Sequence, residues 1–183
     1  AMDAETAGLV SSLREQLDRL TALVRTLLEM SNLQSVSRTD QIALAPLVEE
    51  ILTDLTSLAQ KNNISLQQDC AELGMVGSDA LIYRLVFNLV ENGIKYNRPG
   101  GAVRVTLRQE KQTAVLHVAD TGPGIPADCR DSIFQPFFRV DKSRSREMGG
   151  VGLGLALVRE IAVLHGGSVT VESSSENGTT FVV

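Results

Sequence analysis

The run Leu85-Val-Phe-Asn-Leu-Val-Glu-Asn-Gly-Ile-Lys-Tyr96 is the most informative stretch of this chain. On a helix at 100° per residue, Asn88, Asn92 and Lys95 fall within one narrow arc. Ile82, Leu85, Val86, Leu89 and Val90 cover most of the opposite side. The spacing predicts a helix that buries one face and offers amide oxygens plus an ammonium on the other. Amide oxygens are hard ligands that suit Mg²⁺, and a nearby lysine suits phosphate. An isolated run of this kind is more often a plain solvated face, so its neighbours have to decide.

Downstream, Val115 to Ala119 reads as a strand that runs into Asp120-Thr-Gly-Pro-Gly-Ile-Pro126. A carboxylate at a strand end, followed by Gly122 and Gly124, is an acceptor facing a space that backbone can approach closely. Such a group can take a hydrogen bond from an exocyclic amino group such as adenine N6, although Gly-Pro-Gly is also ordinary turn chemistry. Then come Ile133-Phe-Gln-Pro-Phe-Phe-Arg139, Gly149-Gly-Val-Gly-Leu-Gly154, and Asn177-Gly-Thr-Thr-Phe181. The glycine run is not a P-loop, because Leu155-Ala156 stands where Lys-Ser or Lys-Thr is needed. Nor is it a dinucleotide fingerprint: Gly150, Gly152 and Gly154 are spaced by two and follow a charged segment, not a strand. A glycine hinge feeding a helix N-terminus remains, and such an end favours phosphate.

Working outward, the pattern from about residue 5 to 35 is one long helix. Val10, Leu13, Leu17, Leu20, Val24 and Leu27 recur at steps of three and four, with Leu23 and Met30 widening the stripe to bundle width. One helix cannot bury that stripe alone. Residues 34 to 45 are polar and read as a linker before Pro46, which suits the first turn of a helix reaching about Asn62. A strand is expected near Ile64–Leu66, a turn at Gly74–Gly77, and the asparagine helix from Asp79. Paired strands follow at Val103–Leu107 and Ala114–Val118. A mobile charged loop is expected at Asp141–Glu147, a helix at Gly152–His165, and closing strands at Ser168–Val171 and Thr180–Val183. This order implies an α+β fold, a mixed sheet with helices on one face, preceded by a long N-terminal helix.

Composition narrows the functions. Net charge is −5 with no basic block, so nothing points to nucleic acid or an anionic membrane surface. No apolar run approaches the length of a membrane span. Cys70 and Cys129 lie far apart without metal-ligand spacing and read as free thiols.

In order and separation, Asn88–Tyr96, Asp120–Gly124, Ile133–Arg139, Gly149–Gly154 and Gly178–Phe181 resemble the N, G1, F, G2 and G3 boxes of sensor histidine kinases. The resemblance covers about residues 45 to 183 and implies the mixed-sheet α/β sandwich of the Bergerat ATP-binding fold. It divides the chain into a partial dimerisation and histidine-phosphotransfer helix (1–38), a linker (39–45) and a catalytic ATP-binding domain (46–183).

By that resemblance Asn92 ligands Mg²⁺, supported by Asn88. Lys95 reaches phosphate or ribose and Tyr96 lies along the adenine. Asp120 accepts from adenine N6, with Gly122 and Gly124 shaping that end. Arg139 and Arg144 contact the terminal phosphates. Gly150, Gly152, Leu153 and Gly154 wrap them as part of a lid, and Thr180 sits near the adenine. The implied partners are a response-regulator receiver domain and a second copy paired through the helical bundle, and the implied setting is the cytoplasmic portion of a membrane sensor.

The sequence departs from the pattern in places. Gly93 stands where the family often has alanine, which loosens the helix by roughly 1 kcal/mol, and Val151 replaces a common threonine. No histidine precedes His117, and neither His117 nor His165 has the setting of a phosphoacceptor. The chain is therefore expected to be a piece of a longer protein that starts after the phosphoacceptor helix. Two other readings stand beside a kinase. One is a related ATPase of the chaperone or topoisomerase type, which needs a glutamate where Asn88 stands. The other is a scaffold that no longer binds ATP.

Overall fold

A computed structural model describes residues 4–140 and 151–183. The elements in chain order are α1 (Ala4–Asn32), a 3₁₀ turn (Leu33–Ser35), β1 (Asp40–Ala43), α2 (Leu44–Lys61), β2 (Ser65–Cys70), β3 (Gly74–Gly77) and α3 (Asp79–Lys95). Next come β4 (Ala102–Glu110), β5 (Thr113–Asp120), two short 3₁₀ turns (Ala127–Cys129 and Ser132–Phe134), α4 (Gly154–Leu164), β6 (Thr170–Ser175) and β7 (Gly178–Val182).

The main sheet has the order β2-β4-β5-β7-β6. Only β2 and β4 run parallel, because α3 crosses between them; the other three pairings are antiparallel. Alternation decides which face is covered. Val103, Val105 and Leu107 of β4 are buried with Leu116 and Val118 of β5 and Phe181 of β7, whereas Arg104 and Arg108 are exposed. Against that inner face pack Ile51 and Leu55 of α2, Leu85, Leu89 and Ile94 of α3, and Leu157 and Ile161 of α4. Burying each such side chain contributes roughly 1.5–3 kcal/mol. The expected mixed sheet with helices on one face is what the structure has.

Two expectations are corrected. Part of the segment read as a linker, 39–45, is strand: Asp40–Ala43 pairs antiparallel with Gly74–Gly77, which read as a turn. Each strand is four residues long, too short to show a period of two, and their partnership spans a whole helix of sequence. Leu44, read as linker, already begins α2.

That small sheet matters because it prepares the start of α3. Ser78 occupies the N-cap position in extended conformation, but its side chain makes no capping bond. Two other residues satisfy the first donors instead. The Ser78 N–H donates to His165 Nε2 at 3.0 Å, and the Asp79 N–H donates to Asp40 Oδ2 at 3.1 Å. His165 Nδ1 lies 2.8 Å from the Ile161 carbonyl, one turn back in α4. A nitrogen that faces a carbonyl carries the proton, so Nε2 is the acceptor and the ring bridges α3 and α4 as a neutral imidazole. His117 is mid-strand on β5, with Nε2 3.9 Å from Glu172 Oε1. Both histidines hold structural positions.

The long helix α1 is different. Leu9, Val10, Leu13, Leu17, Leu20, Val24, Leu27 and Leu28 remain between 42% and 64% exposed. Among its described residues, Met30 near its end packs against the core, next to the buried Leu33 of the 3₁₀ turn that follows.

Replacing His165 with alanine should lower stability by about 1–3 kcal/mol, because the Ser78 N–H at the start of α3 loses its acceptor. Urea unfolding measures it; an unchanged midpoint would mean that the bridge adds nothing to α3.

Candidate functional site

Between α3, the end of β5 and the start of α4 lie the polar groups that the sequence singled out. Asn88 donates its Nδ2 to the Arg84 carbonyl at 2.7 Å, which orients Oδ1 away from its own helix. That oxygen lies only 3.1 Å from where a Cβ on Gly154 would be, and Asn92 Nδ2 lies 4.0 Å from the same point. Both amides thus face the first residue of α4. At that helix start Leu153 is the N-cap and offers no side-chain acceptor, so donors of the first turn are left for another group. Lys95 shares the arc of the two asparagines, and its Nζ pairs with Glu91 Oε1 at 2.8 Å. Tyr96 closes α3 and is 42% exposed.

Asp120 forms the other end. Its Oδ1 accepts from the Gly122 N–H at 2.7 Å and from the Thr179 N–H at 3.3 Å. Both bonds fall on one oxygen, which leaves Oδ2 for a ligand. Burial pushes the carboxyl above the usual aspartate range, although the two N–H bonds pull the other way. The glycines around it are required by space. A Cβ at Gly122 would stand 2.8 Å from Asp120 Oδ1 and 2.9 Å from the Tyr96 carbonyl. Gly124 has φ of +80°, and a Cβ there would overlap the Ser175 carbonyl.

The threonine expectation needs correcting. Thr179, at 4% exposure, lies opposite Asp120 in the β5–β7 pairing, while Thr180 lies opposite Ala119. Adjacent strand residues point to opposite faces, so Thr180 turns to the outward face together with Val182. The end of α3 is tied to β4 by Asn97, a residue to which the sequence analysis assigns no role. Asn97 donates Nδ2 to the Gly93 carbonyl at 2.9 Å and the Ala102 carbonyl at 3.0 Å. Its Oδ1 accepts from Thr121 Oγ1 at 3.1 Å, and Thr121 Oγ1 in turn accepts from the Ala102 N–H at 2.9 Å. An asparagine directly after the helix was the available signal.

Arg139 follows the buried Phe134 and the exposed Phe137, and buries Nε and Nη2 without a hydrogen-bond partner among the described residues. Buried guanidinium donors are normally paired, so this group fits an anion. The Phe137 N–H donates to the Gly152 carbonyl at 2.8 Å, which ties this segment to the α4 approach. Arg144 and Gly150, with Gly149 and the charged loop Asp141–Glu147, lie outside the described residues.

A carboxylate oxygen at one end, two amides facing a helix start at the other, and two buried Arg139 donors without a partner among the described residues are groups whose chemistry suits a nucleotide phosphate ester. Residues 77–183, more than half of the chain, match the family of histidine kinase-, DNA gyrase B- and HSP90-like ATPases. The chain belongs to that family. Sensor histidine kinase RppB of Synechocystis sp. is 37% identical over 184 residues, a match that takes in 98% of this chain and 40% of RppB. The chain therefore spans less than half the length of that relative. Among solved structures, the mycobacterial sensor histidine kinase MprB superposes with a TM-score of 0.69 at 28% identity, covering 79% of this chain and 94% of MprB. The nucleotide-free catalytic domain of histidine kinase ThkA gives 0.70 at 26% identity, covering 80% and 93%. An ATPase domain of this family binds ATP.

Asp120→Asn tests the carboxylate. Asn can keep Oδ1 in place for both N–H donors while presenting NH₂ where Oδ2 was. A folded-state pKa raised above the unfolded value means that ionisation weakens the native state. Wild-type stability then falls, relative to the variant, as pH rises from about 4, the unfolded carboxylate value, through the folded value. The variant should gain stability over wild type across that window and lose its preference for ATP over GTP. Thermal melts across pH and titration calorimetry check the two halves; equal loss for both nucleotides would make Asp120 purely structural.

Proposed function

We propose that this chain is the ATP-binding catalytic part of a two-component sensor histidine kinase, which presents the γ-phosphoryl of Mg·ATP to a histidine on another helix of the intact protein. The observation that carries this reading is the split role of Asp120. Its Oδ1 is tied to two backbone N–H groups, which leaves Oδ2 without a protein donor among the described residues, and Gly93 brings the helix that carries Asn88 and Asn92 against it.

In this reading Asp120 Oδ2 accepts from the adenine amino group, and Tyr96 and Thr179 flank the base. Lys95, Arg139 and Arg144 neutralise phosphate charge, and the first turn of α4, Gly152 to Gly154, adds backbone donors. Asn92, with Asn88, supplies side-chain oxygen to Mg²⁺. Among the described residues no group of three or more His, Cys, Asp or Glu forms a metal cage. Mg²⁺ commonly takes one or two protein ligands and the substrate's phosphates, so a site with two amides fits. Bound there, the ion shields the phosphate charge.

The protein's share is positioning and charge neutralisation. The imidazole nitrogen attacks the γ-phosphorus in line, the bond to the β–γ bridging oxygen breaks, and ADP leaves with that electron pair. The phosphoryl group then passes to an aspartate on a response regulator. Hydrolysis is disfavoured, because Asn88 is an amide and cannot take a proton from water. The open stripe of α1 suits a helical bundle with a second copy. Among the described residues no helix is long and apolar enough to cross a membrane, which fits a part that works on the cytoplasmic side of a membrane sensor.

Asn92→Ala should abolish metal-dependent ATP binding and leave the unfolding midpoint within about 1 kcal/mol of wild type, since a half-exposed amide contributes a ligand more than packing. Calorimetry with Mg·ATP at wild-type affinity would sink the assignment. With γ-labelled ATP, the chain alone should remain unlabelled and a separate histidine-bearing acceptor helix should acquire acid-labile label. Label on His117 or His165 would refute the transfer direction.

A further inference from the structure

A bulge in β6 turns a serine towards the Asp120 end of the site. β6 and β7 pair Val171 with Phe181, and after an irregularity they pair Ser173 with Thr180 and Ser174 with Thr179. Val171 and Phe181 both pack into the core. Strict alternation from Val171 would bring Ser173 inward. The extra residue, Glu172, shifts the phase by one, so Ser173 is exposed and Ser174 is half-buried beside Thr179.

The Ser174 hydroxyl then joins two segments that both bear on Asp120. It accepts from the Ile125 N–H at 2.6 Å, which anchors the glycine loop that follows Asp120. It also lies 3.0 Å from Thr179 Oγ1, on the residue whose N–H holds Asp120 Oδ1. Arg130 Nη2 donates to the Ser174 carbonyl at 2.6 Å and keeps the same strand against that loop. Asp120 is thus held by Gly122 on the loop side and Thr179 on the strand side, and Ser174 sets the spacing between the two.

We propose that Ser174 is a positioning residue for nucleobase discrimination: its hydroxyl holds Thr179 and the loop Gly122–Ile125 at the separation that aims Asp120 Oδ2 at a 6-amino group. It rests on the reading of Asp120 as the adenine contact. Inosine triphosphate is the diagnostic probe, because its base carries a 6-oxo acceptor where adenine has the 6-amino donor, and an N1–H where adenine has an acceptor. A residue that only stabilised the fold would change both affinities together, whereas a positioning residue changes their ratio.

Calorimetry on the wild-type chain should show a preference for Mg·ATP over Mg·ITP. Ser174→Ala should weaken ATP binding about tenfold, the worth of one good hydrogen bond, and leave ITP within about twofold. Ser174→Thr, which keeps the hydroxyl, should restore the ratio. Ser174→Cys, near in volume but a weak hydrogen-bonding group, gives the same reading should the alanine variant fail to fold. An unchanged ratio in the variants without a hydroxyl, or a threonine variant no better than alanine, overturns the role of Ser174 while the ATP site stands. A wild-type chain that binds neither nucleotide overturns the ATP reading and this one with it.

Discussion

Helix α3 is fastened at both ends by polar side chains that come from elsewhere in the chain. Asp40 from β1 and His165 from the end of α4 take its first N–H groups, and Asn97 with Thr121 locks its last turn to β4. Between those anchors the helix lies close on the sheet at Gly93. A Cβ there would be 3.1 Å from Val103 Cγ2 and 3.5 Å from Asp120 Cβ. The absence of that Cβ brings the turn bearing Asn92 beside Asp120. The roughly 1 kcal/mol that glycine costs in a helix therefore has a packing counterpart. The relative placement of the amides and the Asp120 backbone is thus fixed by packing, and the carboxylate itself is aimed by the Gly122 and Thr179 N–H groups.

The site holds groups in states that favour a ligand over the empty fold. Asp120 carries a carboxyl whose ionised form burial disfavours, and the two N–H groups that point at it work against that shift. Arg139 keeps two buried donors without an acceptor among the described residues. Lys95 is paired with Glu91, but the two side chains are 30% and 27% exposed, and a pair open to solvent contributes only about 0–1 kcal/mol. Phosphate can therefore replace Glu91 at little cost. These features place the tension at the site, whereas the apolar faces of α2, α3 and α4 supply the stability.

The parts of this arrangement with a local period were legible in the sequence. The polar arc of α3 follows from residues spaced by three and four, and Asp120 follows from a strand that ends in a carboxylate and two glycines. What stayed hidden depends on distant partners or on phase. β1 and β3 are four residues each and exist only as a pair. His165 stands at the end of its own helix, yet its ring serves the start of another. Thr179 and Thr180 are interchangeable until the register of β7 against β5 says which one faces Asp120. Ser174 is turned inward by a bulge that nothing in its neighbours announces.

The most direct measurement is a Mg·ATP titration followed by NMR on side-chain and backbone amides. A nucleotide held between α3 and Asp120 should shift the side-chain amides of Asn88 and Asn92 together with the backbone amides of Gly122 and Thr179, saturably and at one common dissociation constant. Arg104 and Arg108, on the outward face of the sheet, should stay in place. Saturable shifts on that outward face with the two asparagine side chains unmoved would contradict the site.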